Sequence, residues 1–281
     1  MKLFRHGAVG REKPGLIDRT GKMRDLSKVL DDITPATLSP QGLDALKGLD
    51  PEILPLVEGK PRIGCPLAGI RNFIAIGLNY TDHAEESGLP VPEEPIIFNK
   101  HLSSISGPND DIVLPPHSRK GDWEVELGIF IGAPAKAVRE PDALSHVAGY
   151  TIVNDVSERE FQIERKGQWV KGKSLDTFGP VGPWLVTRDE VPDPQALSLW
   201  LELNGKRVQD GTTAKMIFPV RFLVSYVSQF MTVMAGDLII TGTPAGVGMG
   251  MKPQRFLTEG DRIRLSVEGL GEQNQRVVRG G

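Results

Sequence analysis

The chain has 281 residues, a formal net charge of −3 and a single cysteine, Cys65. The near balance of 33 basic and 36 acidic residues argues against a nucleic-acid partner, and a lone cysteine excludes an intrachain disulfide or a cysteine-rich zinc site. Glycine (32) and proline (22) make up about 19% of the residues against a usual ~12%, which predicts many turns and short elements on an otherwise ordinary globular composition.

The opening MKLFRHGAVGREKPG lacks the apolar core of a secretory signal. The most apolar long stretch, Phe222 to Thr241, is interrupted by Ser225, Ser228, Gln229, Gly236 and Asp237 and does not read as a membrane span. With one cysteine, a reducing cytoplasm is the expected compartment. Residues 1–67 read as a small N-terminal domain with a strand or two and short helices, Ser39-Pro40 supplying an N-cap and first helical position. Strand signals dominate from 68 to 281. NFIAIGLNY, the alternating DWEVELGIFIG and HVAGYTIVNDVSE are strand-like. LSLWLELNGKRVQDG reads as a hairpin turning at Asn204-Gly205, and FPVRFLVSYVSQFMTV as a helix begun by Pro219, with Phe222, Tyr226 and Phe230 along one face. DLIITG and DRIRLSVEG close the series as strands. Because strands and helices do not alternate regularly, a mixed, folded-over, β-rich α+β architecture is expected rather than a doubly wound sheet or a (β/α)8 barrel.

Glu124 and Glu126 stand two apart in a strand and so share a face, with Trp123, Val125 and Leu127 on the other. That pair is half of a hard-cation site, or simply the wet face of a half-buried strand. Asp155, just past the run GYTIVN, is the third candidate ligand; an Asx-type turn explains it equally well. Three carboxylates would suit Mg²⁺ or Mn²⁺, with no spacing that selects between them, and Ca²⁺ stays open. His83 and Glu86 lie three apart in GLNYTDHAEESG, where one or two helical turns would bring them together as a base and its orienting carboxylate, or leave both on a solvated helix start. Lys173 in QWVKGKSLDTFGP reads as a cation near developing charge or as a solvated loop lysine. Arg159 and Gln162, also three apart, suit a carboxylate ligand or an exposed helix face. TGTPAGVGMG, 241–250, offers backbone N–H groups to an anion but is not a P-loop, and a tight turn is the plain alternative.

Taken in order, GLNYTDHAEESG, EPIIFNK, DWEVELGIFIG, GYTIVNDVSEREFQ, KGKSLDTFGPVGPWLVT and LIITGTPAGVG resemble the fumarylacetoacetate hydrolase family over about residues 68 to 270. The resemblance implies that family's β-roll fold with a small leading domain, and a homodimer. It implies Glu124, Glu126 and Asp155 as ligands of Mg²⁺ or Mn²⁺, with His83 and Glu86 as the water-activating dyad on a lid. It implies Lys173 beside the reacting carbon, Arg159 and Gln162 near the substrate, and Thr243 in the loop that holds the substrate carboxylate.

The activity implied is metal-dependent hydrolysis of a C–C bond in a small β-diketo acid, with neither nucleic acid nor membrane as partner. The whole chain also resembles bacterial members labelled ureidoglycolate lyase or 2,4-diketo-3-deoxy-L-fuconate hydrolase, of which the diketo sugar acid suits the chemistry better. Oxaloacetate-type decarboxylation, isomerisation of an oxo-dioic acid and ureidoglycolate cleavage stay open on the same metal site. So does a non-catalytic metal- or ligand-binding module, though such a module would need only the three carboxylates.

Overall fold

The central strand of the fold is Val125–Ile131, whose VELGIFI is buried along its whole length. It pairs antiparallel with Val147–Asn154 on one side and with Leu238–Ile240 on the other. The computed structural model describes residues 1–88 and 90–281. Among them, the large sheet runs outward from this centre through Gly179–Thr187 to Lys2–His6, Lys13–Ile17 and Met23–Asp25 on one flank. On the other it runs through Phe73–Gly77 to Ile96–Lys100. Only the pairings of Leu238–Ile240 with Phe73–Gly77 and of Ile105–Ser106 with Gly179–Thr187 are parallel in this sheet.

Side-chain alternation divides the interior in two. Val125, Leu127, Ile129 and Ile131 join one apolar core together with Ile74, Ile76, Ile152 and Ile239. Their strand neighbours Phe130, Phe73, Ala75, Val153, Leu238 and Ile240 join the other. The sheet is thus covered on both faces, which is why its strands read as continuous apolar runs. The first core is closed by a second, five-stranded sheet containing Ser198–Leu203, Lys206–Thr212, Arg262–Val267, Gly271–Arg279 and Ile112–Leu114. The helix Val220–Phe230 adds Val220, Leu223, Val224 and Val227 to that core. The second core is closed by the leading 67 residues, which contribute Leu3, Leu16, Leu26, Ile33, Leu38, Leu43 and Leu46. The result is the expected mixed, sheet-rich α+β fold.

Several local expectations hold. Helix Pro40–Lys47 starts with Ser39 accepting from the Gly42 N–H. The 198–212 hairpin turns on Asn204 and Gly205, both at positive φ (52° and 79°), as a type I′ turn requires. Pro219 caps the long helix rather than entering it. The Phe222, Tyr226 and Phe230 face lies outside the core: the three rings pack on one another, and Phe230 is 63% exposed. No helix among the described residues is long and apolar enough to cross a membrane.

Candidate active site

The register of the two central strands builds the site. Val125 faces Asn154, and the Asp155 N–H donates to the Glu124 carbonyl at 2.9 Å. Glu124 and Asp155 are therefore neighbours across the strand ends, and Glu126 joins them from the same face. Ligand oxygens of the three lie within 4.8 Å of one another, and all three residues are buried. The solvated-face reading of Glu124 and Glu126 fails because both are enclosed, Glu124 against Lys173 and Arg159 and Glu126 against the Gly242 N–H.

Buried carboxylates need compensation. Lys173, from the short helix Val170–Lys173, donates to Glu124 Oε2 at 2.8 Å and to Asp155 Oδ2 at 2.6 Å. Arg159 donates through Nη1 to Glu124 Oε1 at 2.7 Å and to Gln162 Oε1 at 3.1 Å, and through Nε to Asp122 Oδ2 at 2.8 Å. Burial pushes Glu124 up, but Lys173 and then Arg159 outweigh it and hold the carboxyl at about 2. Glu126 is different. Among the described residues no cation pairs with it, and its Oε2 accepts the Gly242 N–H at 2.7 Å. Burial, then Asp155 and Glu124, push its carboxyl well above the usual range. Three clustered oxygen donors, one of them short of positive charge, fit a hard divalent cation such as Mg²⁺ or Mn²⁺.

His83 and Glu86 lie on the helix Thr81–Ser87, with His83 Nδ1 at 3.3 Å from Glu86 Oε2. Glu86 also accepts the Gly246 N–H at 2.9 Å, which ties the helix to the glycine-rich loop. Gly246 has φ of 105°, and a Cβ there would meet the Val208 carbonyl oxygen at 1.9 Å. Only glycine lets the loop approach so closely. Asp122 fixes the far side of the same loop, accepting from Gly248 N at 2.7 Å and Met249 N at 3.0 Å while it holds Arg159.

His83, Glu124, Glu126, Arg159, Gln162, Lys173 and Thr243 all line one cavity of about 90 Å³. Glu86 and Asp155 stand just behind that wall, bonded to His83 and Lys173. Arg159 and Gln162 are only 4% exposed, so the exposed-helix alternative does not apply to them. Arg159 Nη2 is buried without a protein partner. The Thr243 hydroxyl is committed to the fold: it donates to the Val125 carbonyl at 2.9 Å and accepts from Gln209 Nε2 at 2.8 Å.

Lys100, Asp122 and Gln209 escaped the sequence reading. Lys100 Nζ is fully enclosed. It donates to Asp155 Oδ1 at 2.6 Å, to the Val156 carbonyl at 3.3 Å and to the carbonyl of Lys173. The available signal was a lone lysine ending the run EPIIFNK, where alternation puts it on the face of Phe98.

A family model described as fumarylacetoacetate (FAA) hydrolase, C-terminal, matches residues 72–278. The chain belongs to the fumarylacetoacetate hydrolase family. Within that family it is 60% identical over 278 residues to a Burkholderia cenocepacia protein named "Putative hydrolase", covering 99% of each chain. Among solved structures, a fumarylacetoacetate hydrolase from Exiguobacterium antarcticum shares 36% identity with a TM-score of 0.86, each chain covered completely. A 2-hydroxyhepta-2,4-diene-1,7-dioate isomerase from Mycobacterium marinum shares 33% identity with a TM-score of 0.75, over 100% of this chain and 99% of that one. The fumarylacetoacetate hydrolase family fold thus carries both hydrolase and isomerase names among this chain's relatives.

Proposed function

We propose that this chain is a divalent-metal-dependent hydrolase that cleaves a C–C bond of an acylpyruvate-type β-diketo acid. Water and the diketo acid give a carboxylate and a 2-oxo acid. The observation that carries the reading is His83, held by Glu86, which lines the same cavity as Glu124 and Glu126 of the carboxylate triad. A module that only held a metal or ligand would have no use for that pair.

Glu124, Glu126 and Asp155 would hold the ion. The chemistry such an ion supplies when bound is Lewis-acid polarisation at the 2-oxo acid end of the substrate. The residues of the chain account for the rest. Glu86 accepts a hydrogen bond from Nδ1–H of His83, which leaves Nε2 as the base that takes a proton from water. The hydroxide so formed attacks the distal carbonyl, the C–C bond breaks, and its electron pair passes to the pyruvate fragment as an enolate. Lys173 places an ammonium beside that charge. Burial works against its protonation, but Asp155 and Glu124 hold it above its usual value, so it stays a cation. Protonation of the enolate completes the 2-oxo acid. Arg159 Nη2, buried and unpartnered, is the donor available to the substrate carboxylate.

The deciding experiment follows the ultraviolet absorbance of acylpyruvates with and without Mg²⁺ or Mn²⁺. Metal-dependent loss of absorbance with stoichiometric 2-oxo acid supports the reading, and full activity of Glu124→Ala with unchanged metal binding refutes the metal assignment. The isomerase name of one structural relative keeps a second reading in play, in which His83 moves a proton on an oxo-dioic acid without adding water. Product analysis separates the two, because only hydrolysis yields two fragments. The reading includes a homodimer, which light scattering checks.

A further inference from the structure

The cavity wall beyond the charged groups is apolar: Ile76, Leu78, Phe98, Ile163, Trp169 and Met249. Phe98 and Trp169 meet edge to face with ring centroids 5.2 Å apart. Trp169 reaches its position because residue 77 is glycine, where a Cβ would lie 2.4 Å from the indole Cζ3. The polar side chains on the rest of the wall are Ser87, Gln162 and Thr243, and the Thr243 hydroxyl is already committed.

The cations of the cavity are just as constrained. Besides His83, which Glu86 holds, only Arg159 and Lys173 line it. Arg159 is paired with Asp122 at 2.8 Å and Glu124 at 2.7 Å, and Lys173 with Glu124 at 2.8 Å and Asp155 at 2.6 Å. Among the described residues, Arg159 Nη2 is the fully buried side-chain atom of this wall that has no protein partner. One carboxylate of a ligand can be met there. A second, at the far end of the molecule, would lie against partly buried hydrocarbon without a counter-charge, which is unfavourable. The cavity of about 90 Å³ is also small beside the ~300–1,000 Å³ of most ligand sites, so the far end has to be short.

We infer that the site selects a 2-oxo monocarboxylic acid with a short, uncharged, apolar far end, and rejects the corresponding dioic acid. Phe98, Ile163, Trp169 and Met249 are its specificity-determining residues. The inference rests on the 2-oxo acid part of the functional reading and not on hydrolysis. It sets this chain apart from the relative named for a 1,7-dioate.

Matched ligands test it. Butanoylpyruvate and succinylpyruvate differ by a methyl against a carboxylate at the far end, as do 2-oxoheptanoate and 2-oxoheptanedioate, which have no 1,3-diketone to cleave. With Mg²⁺ present, we expect kcat/KM for butanoylpyruvate to exceed that for succinylpyruvate by about 100-fold or more. Calorimetry should show 2-oxoheptanoate binding at least about tenfold tighter than its dioate. Ile163, 47% exposed at the rim, tolerates a polar side chain, and Ile163→Arg should narrow both gaps by about tenfold. Equal or better binding of the dioate by the native enzyme overturns the inference, as does an unchanged ratio in Ile163→Arg. A retained preference between the two 2-oxo acids without cleavage of either diketone defeats the hydrolase reading and leaves the specificity standing.

Discussion

The Lys100 ammonium lies 2.6 Å from Asp155 Oδ1, on the opposite edge of the carboxylate from Lys173, which holds Oδ2 at the same distance. Two buried lysines thus grip one buried aspartate, and Lys100 is itself fixed by the carbonyls of Val156 and Lys173. Burial pushes the Lys100 ammonium below its usual range, against the pull of Asp155. The group orients a candidate ligand from behind and does not line the cavity. Lys100→Met should therefore weaken Mn²⁺ binding by about 10–100-fold, the range for loss of an outer-shell partner. It should also lower unfolding free energy by about 3 kcal/mol. Calorimetric titration and urea denaturation read the two effects, and an unchanged Mn²⁺ affinity would leave Lys100 with a purely structural part.

His83→Ala separates water activation from metal binding. The imidazole belongs to the helix Thr81–Ser87 and makes no bond to the triad, so Mn²⁺ affinity should stay within about twofold while kcat drops by about 10²–10⁴-fold. Glu86→Gln should give a smaller loss, because the amide still reaches His83 but no longer stabilises the imidazolium. Steady-state kinetics on an acylpyruvate, beside calorimetry, check both variants.

Gly246→Ala tests the join between the helix and the glycine-rich loop. Its positive φ and the Val208 carbonyl leave no place for a methyl group. The loop must move, and Glu86 then loses the Gly246 N–H. We expect a stability loss of about 1–3 kcal/mol from the strained position together with a fall in kcat. A melting curve and a turnover assay suffice; activity lost in proportion to unfolding alone would break the proposed link.

Cys65 offers a pH test away from the site. Burial pushes its thiol up to about 11. At pH 8 only about one part in a thousand is then thiolate, and iodoacetamide should label the native protein far more slowly than the urea-unfolded chain. Linkage gives the sign: the folded-state value is raised, so the contribution to stability is fully present below the unfolded value near pH 8.5 and is lost as pH rises toward 11. The stability of the native protein relative to Cys65→Ala should fall across that window in denaturation curves.

Spacing marked part of the candidate site because strand and helix periods fix which side chains share a face. The period of two paired Glu124 with Glu126 and the helical three paired His83 with Glu86, but each pattern fitted a solvated face as well, and the order of motifs resembling the family is what singled them out. Lys100 and Asp122 were invisible for the opposite reason: each is a single charged residue whose partners lie 55 and 37 positions away, at Asp155 and Arg159. No local pattern records such a pair. The strand Gly271–Arg279 also passed unseen, since its buried inward positions include Gln273 and Gln275 instead of hydrocarbon. Gln273 Nε2 donates to the carbonyls of Ile152 and Gly182, and Gln275 Nε2 to that of Pro108, so these amides are satisfied by backbone that only the tertiary fold brings near. The same logic hid the burial of the acidic face, which depends on Lys173, Arg159 and the Gly242 N–H arriving from elements far along the chain.

The pairing of Lys2 with Val186 and of Leu3 with Leu185 has a kinetic corollary. During synthesis the opening strand leaves the ribosome long before its sheet neighbour exists, and must wait with Leu3 and Phe4 uncovered or protected only by its hairpin with Lys13–Ile17. Contacts of such sequence separation form late and slowly. Completion of the second core is therefore tied to a docking event that cannot occur until about two thirds of the chain has been made.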